Sequence, residues 1–176
     1  MINAIYASIW LFSLYKWGDW KNWKNYYSTI LFFILGDFIY LYLLSDIYPM
    51  WKYEPYHIDG TMGITNTHVS LSIMAIKYPA TVLIYLYHFP ENNWKKQFGY
   101  LLLWVGLYSI NEIIDLYYGV INYYNGWNFW WSIIMNIIIF STLRIHYHNP
   151  ILAWLMSIAF ILCLWHIFNV PSTVFR

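Results

Sequence analysis

Glu112 and Asp115 are the residues of this chain best placed to do chemistry. They lie in the stretch Tyr108-Ser109-Ile110-Asn111-Glu112-Ile113-Ile114-Asp115-Leu116-Tyr117. A spacing of three puts both carboxyls on one face of a helix. Such a pair can bind a cation or pass a proton. With one member held protonated, it can act as a general acid. The stretch falls inside an apolar run from Phe98 to Val120. Carboxyls in a membrane-length segment are costly unless paired, protonated or facing water. Glu112 and Asp115 are therefore the candidate catalytic residues. With Asp37, Lys77, Asn111 and His68 they form the candidate ligand-binding set.

Lys77 is too deep in its apolar segment to snorkel to either surface. It needs a counter-charge, so a contact with Asp37, Glu112 or Asp115 is predicted. One ammonium cannot neutralise three carboxylates. At least one of them is then protonated, hydrated or paired with a ligand. The plainer alternative is a lysine–carboxylate pair that only locks helices together. Pro79 adds a local defect. It lacks an N–H and clashes with the carbonyl of Ala75, which frees backbone acceptors near Lys77.

The histidines carry less. His68 and His166 could face each other at one end of a bundle, but no metal-ligand spacing supports a site. His146 and His148 read as interfacial. There is no CxxC, HExxH, GxSxG or glycine-rich phosphate loop. No metal and no cofactor are expected. Cys163, the single cysteine, reads as inert packing. Trp10 and Trp104 lie inside apolar segments and are candidates for lining a site.

The elements that position these residues are legible from composition. Of 176 residues, 61% are hydrophobic and only 10% charged, against roughly 25% charged in soluble domains. Aromatic residues make up 24%, including 12 Trp and 19 Tyr, a load suited to membrane-interface belts. The net charge of +1 offers nothing for nucleic acid. Six apolar segments span roughly 2–17, 26–47, 67–89, 98–120, 127–147 and 150–168. A crossing helix needs about 20 residues, so each is near span length. The expected fold is an all-α integral membrane bundle of about six transmembrane helices, in one domain over 1–176.

Charge supports the count. Loops one, three and five hold Lys16, Lys21, Lys24, Lys95, Lys96 and Arg144, while the opposite side holds Lys52 and Arg176. The positive-inside rule then places those three loops in the cytoplasm and both termini outside the cell membrane. The first segment lacks a preceding basic residue and a small-residue cleavage site, so it reads as an uncleaved span. The loop from 48 to 66, with Pro49, Pro55, Gly60 and Gly63 and the charges Lys52, Glu54, His57 and Asp59, reads as an outer cap. Asn125-Gly126 marks a turn. His148-Asn149-Pro150 joins the last two helices into an antiparallel hairpin.

Tyr15-Lys16-Trp17-Gly18-Asp19-Trp20-Lys21-Asn22-Trp23 resembles the start of a family of small multi-pass membrane proteins from endospore-forming Firmicutes. Lys77-Tyr78-Pro79-Ala80-Thr81 and Arg144-Ile145-His146 are similar to further stretches of it. The resemblance implies a membrane location and no catalytic residues. Tryptophan content also invites comparison with the tryptophan-rich sensory proteins, which have five spans and different Pro/Trp motifs.

Three functions follow from this reading. The first is a pocket, open to the outside, that binds or moves a small solute, cation or proton. The second is an intramembrane enzyme acting on a lipid or isoprenoid by acid catalysis, in the manner of membrane terpene cyclases. The third is a structural assembly factor of the envelope or spore. The expected partners are the lipid bilayer, a small solute or isoprenoid lipid, and a second copy of the chain. Nucleic acid is not one of them.

Overall fold

A computed structural model describes residues 2–54, 63 and 65–175. Of the expected cap residues, Pro55, His57, Asp59 and Gly60 lie outside the described residues. The described chain is all-helical apart from a short ribbon. Helix α1 is Ile2–Trp17 and α2 is Tyr27–Leu43. Helix α3 runs without a break through Asn66–Ser72, Ile73–Lys77 and Tyr78–Tyr87. Helix α4 is Trp94–Tyr117, α5 is Phe129–His148 and α6 is Pro150–Ile167. One helix thus stands on each expected apolar segment. Three stretches, Thr67–Tyr87, Phe129–His148 and Pro150–Ile167, are long and apolar enough to cross a membrane.

Asparagines start the last three helices. Asn93 accepts from the Lys96 amide, Asn128 from Trp130 and Trp131, and Asn149 from Leu152. Each satisfies an N–H that the first turn leaves without a partner. The Asn93 cap corrects one boundary. The expected start near Phe98 moves back to Trp94, so Lys95 and Lys96 belong to the first turn of α4. Pro150 occupies the first turn of α6, where its missing N–H has no intrahelical role.

The expected defect at Pro79 takes a particular form. The helix widens into one π turn over Ile73–Lys77, in which the Tyr78 N–H bonds the Ile73 carbonyl. Proline then sits in the first turn of the α segment that follows. The π turn shifts the hydrogen-bond register just ahead of Pro79, which itself supplies no N–H to the turn before it.

The loop expected as an outer cap and the loop after α4 pair with each other. Strand β1, Trp51–Tyr53, lies antiparallel to β2, Ile121–Tyr123, with Trp51 opposite Tyr123 and Tyr53 opposite Ile121. The ribbon continues through bonds from Glu54 N–H to the Val120 carbonyl and from Tyr124 N–H to that of Met50. Its end turns at Asn125-Gly126, both with positive φ, 50° and 83°. The Trp127 N–H closes that turn on the Tyr124 carbonyl.

Two clusters fill the interior. One packs Tyr85, Phe140, Leu143, Trp104 and Tyr108. The other gathers Leu44, Met50, Trp127, Leu164, Phe168 and Val174 at the ribbon end. The opposite end is held by smaller contacts. A His88 ring nitrogen lies 3.0 Å from the Trp17 carbonyl, Tyr26 stacks on Tyr147, and the Arg144 guanidinium covers the Phe89 ring at 4.5 Å. The ends of α1, α3 and α5 therefore meet there, together with the start of α2. This is the end where the sequence concentrates its lysines.

Candidate functional site

Where the two clusters meet, they leave a cavity of about 260 Å³. Asp37, Lys77, Glu112 and Asp115 all line it, brought together from α2, α3 and α4. A smaller pocket of about 40 Å³ lies behind Lys77, Asn111 and Asp115, with Tyr6 and Trp10 on its far side. Lys77 and Asp115 border both. The remaining wall is mostly aromatic and aliphatic, with Tyr40, Trp51, Tyr78 and Trp127 prominent.

Lys77 lies inside with the three carboxylates on the same cavity wall, and its direct hydrogen-bond acceptor is an amide. Its ammonium donates to Asn111 Oδ1 at 2.8 Å. Asn111 Nδ2 in turn reaches Asp115 Oδ2 at 3.4 Å. An amide therefore stands between lysine and carboxylate. Asn111 and Asp115 are one helical turn apart, so both meet an incoming side chain on the same face. The ammonium also lies over the Tyr108 ring, 4.4 Å from its centroid, and 5.9 Å from that of Trp10. The negative faces of these rings supply part of the missing counter-charge.

Each carboxylate has its own setting. Glu112 Oε1 accepts from Ser132 Oγ at 2.5 Å and from Tyr123 Oη at 2.7 Å. Ser132 is in turn held by the Trp127 indole N–H at 3.0 Å. Burial, and the bond it donates to Glu112, hold the Tyr123 phenol above the usual tyrosine range, so it remains a donor. Asp37 Oδ2 accepts from Tyr78 Oη at 2.9 Å, and Tyr78 stacks on Phe33 with centroids 3.9 Å apart. Asp115 is the most enclosed of the three, at 8% exposure. Glu112 and Asp115 both line the cavity from α4, yet Glu112 is bonded toward α5 and the ribbon, whereas Asp115 is bonded by Asn111 of its own helix, beside Lys77.

The cavity is roofed at the ribbon end. Tyr40 stacks on Trp51 at 3.9 Å, and Trp51 packs on Trp127 at 4.9 Å. The Tyr40 hydroxyl accepts from the Met50 and Trp51 amides at 3.1 and 2.9 Å and donates to the Trp51 carbonyl.

Two sequence expectations do not join this site. His68 is exposed and forms a capping box with Thr65, its Nδ1 2.8 Å from Thr65 Oγ1. It lines neither cavity. Trp104 packs against Tyr85 and Phe140 in the core, whereas Trp10 does line the smaller pocket. His146 also departs from an interfacial reading. It is buried, with Nδ1 3.0 Å from Thr29 Oγ1 and its ring stacked on Phe32 at 4.3 Å.

Sequence reasoning passed over Tyr123, Ser132, Asn136, Tyr40 and Tyr78. Ser132 and Asn136 carried a usable signal. They are polar, four apart, and the only polar residues between Phe129 and Phe140, so they form one stripe on that helix. The tyrosines carried none, because nineteen of them are spread along the chain.

Comparison with protein-family models, with curated proteins and with solved structures finds no match to this chain. What the fold and the site define is a class, an all-helical protein with membrane-length helices around an acid-rich, aromatic-walled cavity.

Proposed function

We propose that this is a cell-membrane protein of six transmembrane helices whose cavity binds a small organic cation. The observation that carries the reading is the charge balance of the cavity wall. Asp37, Glu112 and Asp115 face one ammonium, Lys77, and that ammonium is already held by Asn111 and two rings. A second cation would restore the balance, and the faces of Tyr40, Trp51 and Trp127 favour one that is poorly hydrated. The volume suits a molecule of modest size. Transport of the same cation is the wider form of this proposal.

Binding is tested on protein in lipid nanodiscs with tetramethylammonium as probe. It should raise the melting temperature of the natural sequence and not that of Asp37→Asn. An equal response in both, or none in either, would reject the cation site.

We further propose that both termini lie outside the cell. The support is the gathering of basic residues at the end where α1, α3 and α5 finish. With Cys163 replaced by alanine, cysteines at Asn22 and Glu91 should resist an impermeant thiol reagent in intact cells, and one at Thr173 should react. Rapid labelling at Asn22 would reverse the orientation.

A second reading is an enzyme acting on an isoprenoid. The Glu112 carboxyl beside aromatic faces favours it, since rings stabilise carbocations and a carboxyl can start them. The excess of acidic groups argues against a diphosphate substrate, so a neutral isoprenoid is the one to incubate. Product formation that Glu112→Gln abolishes would establish it. The membership suggested by the Firmicutes resemblance stays part of this proposal and adds no activity.

A further inference from the structure

The cavity is closed above but not at its side. The ring stack of Tyr40, Trp51 and Trp127 roofs the ribbon end, where a water-soluble cation would otherwise enter. Helices α2 and α6 both line the cavity, yet they meet mainly at two pins. Near one end the Phe32 ring packs edge-on against Trp154 at 4.8 Å. Near the ribbon, Tyr48 Oη, just past α2, donates to the Phe168 carbonyl, just past α6, at 2.9 Å, and Leu44 and Leu164 share the second cluster. Between these pins, no hydrogen bond or ring contact among the described residues joins α2 to α6.

Gly36 stands in that gap. It lines the cavity and is also exposed, so its backbone is part of the rim. A Cβ built there would meet no atom within 4 Å. The next residue, Asp37, carries one of the three carboxylates. Across the gap lie Ser157 and Ile161 of α6, whose outer surface is almost wholly exposed and apolar. Gly36 is near the middle of α2, so in the six-span reading this gap opens at the depth of acyl chains.

We propose that the gap between α2 and α6 is a lateral window to the bilayer, and that the cavity's occupant is a single-chain amphiphile with an ammonium head. The inference rests on the cation site proposed above and adds the route and the tail. The head lies against Asp37 and the aromatic faces. The hydrocarbon chain leaves past Gly36, between Ser157 and Ile161, and stays in lipid. A ligand of this shape keeps its tail solvated by acyl chains while its charge meets the surplus carboxylates. It needs no opening of the Trp51 roof.

The test uses the full chain in nanodiscs and two probes, tetramethylammonium and octyltrimethylammonium. A third probe carries a photoreactive group at the end of the octyl chain. After correction for partition into lipid, the octyl compound should bind about tenfold more tightly than tetramethylammonium. The photoprobe should label peptides holding Gly36 and Ile161. Gly36→Trp and Ser157→Trp should each weaken octyl binding about tenfold and leave tetramethylammonium binding intact. Gly36→Trp has open space to occupy and replaces a poor helix former, so it should fold. Equal affinities for the two compounds, labelling elsewhere, or two silent tryptophan variants would overturn the window while leaving the cation site standing. If neither compound binds, the cation site fails and the window falls with it.

Discussion

Replacing Lys77 with methionine should destabilise the folded protein by about 3–5 kcal/mol, the usual effect of removing one member of a buried charged set. The side chain is enclosed by α1, α3 and α4 and lies over the Tyr108 ring, with Asn111 as hydrogen-bond partner. Methionine keeps most of the volume and the packing on Trp10 and Tyr108. What it removes is the positive charge that three carboxylates share. The loss should appear as a lower midpoint in reversible unfolding by a denaturing detergent in mixed micelles. Adding Asp115→Asn to Lys77→Met should recover most of it, because the neutral amide no longer needs the ammonium and can still bond Asn111. An unchanged midpoint for Lys77→Met would mean that Lys77 is solvated and that the carboxylates do not depend on it. Equal losses in the single and double variants would show that packing, and not charge, is what the substitution removes.

Tyr40→Phe should cost about 2–4 kcal/mol, a large effect for the loss of one oxygen. That oxygen serves three backbone groups, the amides of Met50 and Trp51 and the carbonyl of Trp51. Phenylalanine keeps the ring that stacks on Trp51. The substitution therefore isolates the hydroxyl and leaves two amides without an acceptor beneath the roof. Hydrogen exchange gives the specific readout. The Met50 and Trp51 amides should exchange faster, followed by those of the ribbon, while α5 and α6 keep their protection. If the ribbon stays protected, Tyr40 is not what anchors it.

The helices were legible because their signals are local. Each apolar run is long, bounded by polar or proline-containing turns, and Asn128 and Asn149 sit beside the runs whose helices they cap. The boundary at Trp94 was misplaced because Lys95, Lys96 and Gln97 look like loop, and only the Asn93 cap shows that they begin a helix. Pro79 marks a local defect in the sequence, but not the form the defect takes. Whether the chain spends one extra residue on a π turn depends on its neighbours. The ribbon could not be read at all. Trp51–Tyr53 and Ile121–Tyr123 are about seventy residues apart, each too short for a periodic signal, and they pair only because the helix ends bring them together.

The candidate site divides in the same way. Composition and spacing determined that the chain builds membrane-length helices, that Glu112 and Asp115 share a face, and that one lysine stands among more carboxylates than it can neutralise. These are counts and periodicities, and they need no neighbours. Tertiary structure decided which groups answer those charges. It put Asn111 between Lys77 and Asp115, gave Glu112 the hydroxyls of Tyr123 and Ser132, gave Asp37 that of Tyr78, and sent His68 to a cap. Helix rotation and the choice of packing partner are set by shape complementarity over the whole bundle, and no window of sequence contains that information.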